Sequence, residues 1–503
     1  MPVLKNYLRQ NILSMNEMSV SLKQKTIGGL FWSFIDGFFN QGFQFIVGII
    51  LARLLSPREF GLIGMLTIFI AISQSFVDSG FSNALIRKTN CTQNDYSTIF
   101  YFNISVAIFF YILLFSISGS IATFFKEPQL KPLVQVLSLS LIINSFAVIQ
   151  RTILTKEINF KLQTMVSMMA SIGSGAIAIG MAFAGFGVWS LVALTLSKAV
   201  LNSLFLWLWA KWKPAWVFSG ESFKELFAFG SKLLVSGLID TAYRNIYYLI
   251  IGKYFSAVEL GYYTRADQFQ ALPSQNLNGL IGRVSYPVLS SIQDDIPKLK
   301  LAYQKIIKST MLITFVLMLG MAAVAKPMIL TLIGKKWLPA VVYLQLLCLV
   351  GMFYPLQALN LNMLQVQGRS DLFLRLEIIK KILAIPTIII GVLFGIKTMI
   401  MGMLVLSLIA YYLNSYWSGR FIDYSTWEQV KDILPSFLLA SVVALCVFVA
   451  GYLLNISNLL KLIIQLVIGG VLTIGIAEVF FMRDYLYIKE IILEKFTAKK
   501  QMA

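Results

Sequence analysis

Fourteen apolar stretches, separated by short polar breaks, cover almost all of this 503-residue chain. They fall near 27–50, 60–81, 99–124, 133–150, 162–184, 188–209, 228–252, 268–290, 306–333, 340–362, 372–394, 398–419, 434–454 and 460–482. A helix of about 20 apolar residues matches the ~30 Å hydrocarbon core of a bilayer. The strands of a membrane β-barrel alternate over about ten residues, and these runs do not. The pattern therefore predicts an all-α, multi-pass membrane protein with 14 transmembrane helices. The stretch at 268–290 is the most polar, with Pro273, Gln275, Asn276, Asn278 and Arg283. It is expected to line a cavity rather than face lipid, with Arg283 snorkelling to the inner surface.

The stretches repeat. With residue n set against n+200, Ile46 meets Ile246, Ile50 meets Ile250, Ser56 meets Ser256, Glu59 meets Glu259 and Gly61 meets Gly261, five identities in 18 positions. Gly37 also meets Gly237, and Arg53 meets Lys253. The longest polar breaks, 210–227 and 420–433, divide the chain at the same period. The expected organisation is an N-terminal segment (1–26), a six-helix lobe (27–210), a second six-helix lobe (228–420), a helix pair (434–482) and a tail (483–503). Six is an even number, so both lobes start from one side of the membrane as parallel repeats. Ser56-Pro57-Arg58-Glu59 reads as a capping box that starts the second span, and Ser256-Ala257-Val258-Glu259 reads as its counterpart.

Charge fixes the expected orientation. With the N-terminus placed inside, 29 of the 42 Lys and Arg fall in or beside inner segments, 11 in outer ones and two within spans. This positive-inside bias accounts for the net charge of +19 without nucleic acid, and predicts two cytoplasmic termini. Residues 1–26 are polar and do not resemble a cleaved signal. Cys91, Cys348 and Cys446 have neither metal-ligand nor disulfide spacing. The absence of histidine excludes His-based catalysis and His-ligated metal. No P-loop, nucleophile–base pair or acidic metal-binding run is present, so the chain reads as a transporter rather than an enzyme. It needs no cofactor, and coupling to H⁺ or Na⁺ is left open.

Polar residues inside the spans point to the site. Span one carries Ser33, Asp36, Gly37, Asn40 and Gln44 on one helical face. Span seven carries Ser236, Asp240, Arg244 and Tyr247 at similar spacing, and the repeat sets Asn40 against Asp240 and Gln44 against Arg244. The expected arrangement makes these faces opposite walls of one hydrated cavity. A charge at mid-span costs about 2.5–3.5 kcal/mol and faces the bundle interior. Arg244 and Lys198 are thus the candidate cations, with Asn40, Gln44 and Asp240 beside them. Asp240 lies one turn from Arg244 and is placed to pair with it. Asp36 and Asp240 are the candidates for binding a coupling ion, because buried carboxylates accept protons near neutrality. Asp78 is explained by its place near a helix end, Glu478 has no partner in its own span, and Tyr354–Gln365 offers a second polar run around Pro355. Tyr243, Tyr247, Tyr248, Tyr254, Tyr262 and Tyr263 read as an interfacial belt.

Three segments resemble a known family. Leu51-Ala52-Arg53-Leu54-Leu55-Ser56-Pro57-Arg58-Glu59-Phe60-Gly61, Asp78-Ser79-Gly80-Phe81-Ser82-Asn83-Ala84-Leu85-Ile86-Arg87 and the run from Gln150-Arg151 to Asn159-Phe160 are similar to Wzx-type polysaccharide flippases of the multidrug/oligosaccharidyl-lipid/polysaccharide superfamily. The resemblance is to the colanic-acid-exporter-like branch. It implies two six-helix lobes around a cavity, alternating access, and movement of undecaprenyl-pyrophosphate-linked repeat units to the outer leaflet of a bacterial inner membrane. It also implies that Arg244 and Lys198 receive the pyrophosphate and that the final pair forms a groove for the lipid tail. Membrane lipids and a polysaccharide polymerase or assembly proteins are the implied partners. Span one lacks the Arg or Lys found in lipid II flippases, which favours the polysaccharide branch. A drug exporter of the same superfamily would favour an acidic cavity. A polymerase or ligase would need a long outer loop, and neither feature is present.

Overall fold

Backbone groups inside a bilayer have no water to bind, so each apolar stretch closes its hydrogen bonds within a helix. A computed structural model of the chain describes residues 28–29, 31–78, 80–480, 485–486 and 489, without the side chains of 275, 276, 278 and 280–284. The readings of the N-terminal segment, of Gln275, Asn276, Asn278 and Arg283, and of most of the tail fall outside the described residues.

The described residues form helices without strands. In order these are α1 (Phe31–Leu54), α2 (Pro57–Asp78), α3 (Phe81–Arg87), α4 (Gln93–Phe125), α5 (Leu130–Leu137), α6 (Leu139–Lys156), α7 (Phe160–Phe183), α8 (Trp189–Trp209), α9 (Gly220–Tyr254), α10 (Ala257–Ser290), α11 (Ile296–Leu332), α12 (Ala340–Gly351), α13 (Tyr354–Val366), α14 (Ser370–Phe394), α15 (Ile396–Phe421), α16 (Thr426–Leu453) and α17 (Asn458–Val479). Among them lie 11 segments long and apolar enough to cross a membrane. The predicted spans 228–252, 268–290 and 372–394 do form helices, α9, α10 and α14, but these are not apolar enough to join the 11. Asp240 and Arg244 add charge to α9, the Gln, Asn and Pro residues of 268–290 make α10 polar, and Glu377, Lys380 and Lys381 put three charges into the otherwise apolar α14.

The chain divides into two units, Met1–Lys253 and Tyr254–Ala503. In the first, α1 packs on α7. A Cβ at Gly175 would stand 2.9 Å from Val47 and 3.0 Å from Phe43, so glycine lets these two helices approach closely. α2 carries the predicted second span. Gly80 takes a left-handed φ of +68°, which ends the path of α2 and starts α3. Phe81, Ala84, Leu85, Ile99, Phe100, Ile149 and Leu226 form a buried cluster beside it. The first turns of α9 are held there. Lys88 Nζ bridges Asp95 at 3.1 Å and Glu225 at 2.8 Å. The hydrogen bond to Glu225 raises the Lys88 pKa above the ordinary lysine value, so its charge persists at neutral pH. Asp95 also closes a complete capping box with Thr92 at the start of α4. Ser97 and Thr98 accept from the Ala215 and Ser219 amides, both at 2.9 Å. These contacts explain why α9 packs with the first unit as far as Lys253.

In the second unit α11 packs along α16, α14 along α15, and α10 against α12 and α13. Pro355 stands in the first turn of α13, where its missing N–H costs no helical hydrogen bond, and the chain breaks between α12 and α13 just before it. Asn360 is fully buried and accepts from Ser418 at 2.6 Å, while Gln357 donates to the Ser407 carbonyl at 3.3 Å. Both side chains are consumed by α15. Glu478 has partners that its own span could not show, since Tyr485 donates to it at 3.1 Å and Lys489 pairs with it. In the final pair Gln465 is buried and donates to the Val447 carbonyl at 2.8 Å, over the bare backbone of Gly451. A Cβ at Gly451 would lie 2.0 Å from Gln465 Nε2. Gly451→Val should therefore destabilise this pair by about 1–3 kcal/mol. Gln465→Leu should cost under about 1 kcal/mol, as membrane hydrogen bonds average little more than half of that. Thermal melting of the purified protein in detergent checks the order of the two.

Candidate functional site

The polar face of α1 is satisfied by α7. Asn40 donates to the Asp36 carboxylate at 2.8 Å and lies 3.0 Å from Ser167 Oγ. Ser167 donates to Asp36 Oδ1, and Ser171 donates to Asn40 Oδ1 at 2.6 Å. Thr164, one turn earlier on α7, donates to the Trp32 carbonyl at 3.0 Å. Four side chains from two helices thus form one continuous network around a single carboxylate. The polar face of α1 meets α7 in this contact because Thr164, Ser167, Ser171 and Ser174 recur at three- and four-residue steps on α7. That stripe was readable in the sequence and escaped notice for want of a charge. Gln44, one turn further along α1, is exposed and takes no part in the network.

Lys198 lies half-buried on α8, which packs along α7. Its hydrogen-bonding capacity is not used by any carboxylate among the described residues, but the charge of Asp36 reaches it, and that of Arg151 opposes it. Arg151, near the C-terminal end of α6, also acts on Asp78. Asp78 in turn accepts from Gln74 at 3.3 Å, and Gln74 accepts from Asn144 at 3.4 Å. Asp78 is therefore more than a helix-end residue: it belongs to a second polar chain across α2 and α6. Arg151 was singled out in the sequence only as part of a motif. Its depth relative to Lys198 depends on how α6 packs on α8, which spacing along the chain does not reveal.

Arg244 and Asp240 pair as their spacing predicts, with Nε 2.8 Å from Oδ2. Both side chains are more than half exposed. Beside them Thr241 is 3.1 Å from Ser75 of α2, and Asn245 donates to the Thr241 carbonyl at 2.8 Å. The span residues singled out in the sequence therefore fall into two charge groups: a paired Arg–Asp on α9, and a Lys on α8 that feels the charge of a carboxylate engaged by Asn40 and Ser167. The first group is neutral as a pair. The second presents an ammonium with donors to spare, the feature needed to receive an anion in a low-dielectric site.

The sequence profile of the family described as "Polysaccharide biosynthesis protein" matches residues 50–342, more than half of the chain. The chain belongs to the polysaccharide biosynthesis protein family. Within the matched segment lie all of α2 to α9 and the residues Lys198, Asp240 and Arg244. Relatives of this polysaccharide biosynthesis protein include the "Lipopolysaccharide biosynthesis protein WzxC" of Escherichia coli K12, 27% identical over 374 residues, 74% of this chain and 76% of the relative. The "Teichuronic acid biosynthesis protein TuaB" of Bacillus subtilis 168 is also 27% identical, over 70% of this chain and 73% of its own. Among solved structures, "Lipid II flippase MurJ, inward closed conformation" aligns over 91% of this chain and all of its own with a TM-score of 0.75, at 16% identity. That likeness establishes the all-α, multi-helix membrane fold.

Proposed function

We propose that the protein moves lipid-linked oligosaccharide repeat units from the cytoplasmic to the outer leaflet of a bacterial inner membrane, for surface polysaccharide assembly. The observation that carries this reading is the family match over residues 50–342, which takes in Lys198 inside the apolar helix α8. The names of the relatives, one in lipopolysaccharide and one in teichuronic acid synthesis, support a saccharide cargo.

In this reading the lobes 27–210 and 228–420 alternate in access, the termini lie in the cytoplasm, and the pair 434–482 accompanies the lipid tail. The diphosphate of the cargo meets Lys198 first, and Arg244 when Asp240 releases it. Asn40, Gln44 and Asp240 supply hydrogen bonds to the polar head. Asp36 is the carboxylate for a coupling proton or Na⁺. Asp240 is the second coupling group. The protein performs transport without covalent chemistry, and a polymerase or assembly protein takes the delivered unit.

Deleting the gene should leave complete lipid-linked repeat units in the membrane and no surface polymer. Lipid extraction and a surface polysaccharide assay on the same cells check this. An unchanged lipid pool with intact polymer, in cells without a second flippase, would refute the reading.

A further inference from the structure

Three connections of the first unit, 55–56, 126–129 and 184–188, follow α1, α4 and α7 and meet at one end of the bundle. They surround a cleft of about 410 Å³ lined by Arg58, Glu59, Gln129, Gly187 and Trp189 among others. Its volume lies within the ~300–1,000 Å³ of small-molecule sites. The charge bias of the sequence places this end outside the membrane.

The cleft is built, not left over. Arg58 Nη2 pairs with Glu127 at 2.6 Å, yet the Arg58 side chain stays 47% exposed. One oxygen of Glu59 accepts from the Ser56 amide at 2.5 Å and from its hydroxyl at 2.9 Å. The other faces Gly187, whose φ is +56° and where a Cβ would stand 2.5 Å away. Any larger residue at 187 would displace the Glu59 carboxylate from the cleft wall.

The second unit has closed the equivalent place. The repeat sets Glu259 against Glu59, and Tyr343 donates to Glu259 at 2.5 Å. Trp337, in the connection that matches 126–129, is fully buried against Tyr262 with ring centroids 6.1 Å apart. One repeat fills the space with aromatic side chains. The other keeps it open, with a guanidinium, a carboxylate, a carboxamide and an indole on its walls.

That set fits a sugar. Planar polar side chains offer paired donors and acceptors that match neighbouring ring hydroxyls, and an indole face packs against the C–H face of a pyranose. It does not fit a phosphate: the Arg58 guanidinium is already paired with Glu127, and Glu59 adds a carboxylate to the wall. We propose that this cleft is a saccharide-binding site on the outer face. The ligand is either the head of a lipid-linked unit as it emerges or a stretch of polymer already outside. Only this choice of source rests on the proposed flippase function.

The test uses the full-length protein in lipid nanodiscs. The probes are oligosaccharides released by mild acid from the surface polysaccharide of cells that make the protein, with inorganic pyrophosphate as a control, titrated by calorimetry. The unmodified protein should bind the oligosaccharide. Trp189→Ala, and Gln129→Trp, which plugs the cleft as Trp337 does in the second unit, should each weaken binding at least ~10-fold, the loss of about 1.4 kcal/mol, and leave pyrophosphate binding unchanged. Unchanged melting temperatures would show both variants folded. Absence of oligosaccharide binding, or equal binding by either folded variant, overturns the proposal. Repeating the titration with intact lipid-linked units separates the sources: tighter binding of the lipid-linked form assigns the emerging head, and equal binding assigns the polymer. Failure here with export lost on gene deletion would remove the cleft and keep the flippase. Saccharide binding with export intact after deletion would do the reverse.

Discussion

Lys198→Gln is expected to reduce export about 10- to 100-fold with a normal amount of protein in the membrane. A charge-assisted hydrogen bond is worth about 1.5–3 kcal/mol, and each 1.4 kcal/mol is a factor of ten. The substitution removes an ammonium from inside a span, which on insertion scales costs about 2.5–3.5 kcal/mol to place there. Folding should therefore not suffer, and the loss should fall on anion binding alone. Lys198→Arg should restore part of the activity. Arg244→Gln should matter less, no more than about fivefold, because Asp240 already neutralises that guanidinium at 2.8 Å and the pair is exposed. Complementation of the deletion strain, read as surface polymer and accumulated lipid-linked units, ranks the variants. A larger loss for Arg244→Gln than for Lys198→Gln would transfer the anion-binding role to α9.

Gly80→Ala should be the most damaging single methyl group in the first unit. Its φ of +68° disfavours any side chain, by about 1–2 kcal/mol. The added Cβ would also stand 2.6 Å from the Gly230 carbonyl oxygen and 2.9 Å from Leu233 Cβ. The first contact is backbone, so α9 must move rather than a side chain rotate, which adds about 1–3 kcal/mol. The summed loss of about 2–5 kcal/mol should lower the melting temperature in detergent and reduce the protein recovered from membranes. Gly119→Ala is the matched control. It lies in helix α4 with nothing within 4 Å of the added methyl, and it should be neutral or slightly stabilising. Equal melting temperatures for the two variants would refute the packing of α9 on Gly80.

The sequence revealed the helices far better than their neighbours. Apolar run length sets where a span lies, and Ser56 with Glu59 and Ser256 with Glu259 mark two helix starts that the structure reproduces. The Asp240–Arg244 pair followed from spacing alone, since residues four apart on a helix are bound to meet. Asp36 and Asn40 show the limit. Their spacing identified a polar face, but nothing in one helix says which other helix meets it, and α7 does so with neutral hydroxyls. Glu478 seemed alone because its partners lie beyond the end of its span. Asn360 seemed available because polarity within an apolar run looks the same whether it faces water or a neighbouring serine.

Lys88 serves two carboxylates, and they are not equivalent. Asp95 is buried and also held by Thr92 at the first turn of α4, whereas the Glu225 side chain is 57% exposed. Any displacement that separates the starts of α4 and α9 forces the ammonium to keep one and leave the other. It will keep Asp95, since abandoning a buried carboxylate costs far more than returning an exposed one to water. The attachment is thus ranked in advance: α4 stays with its lysine, and α9 is the helix that lets go.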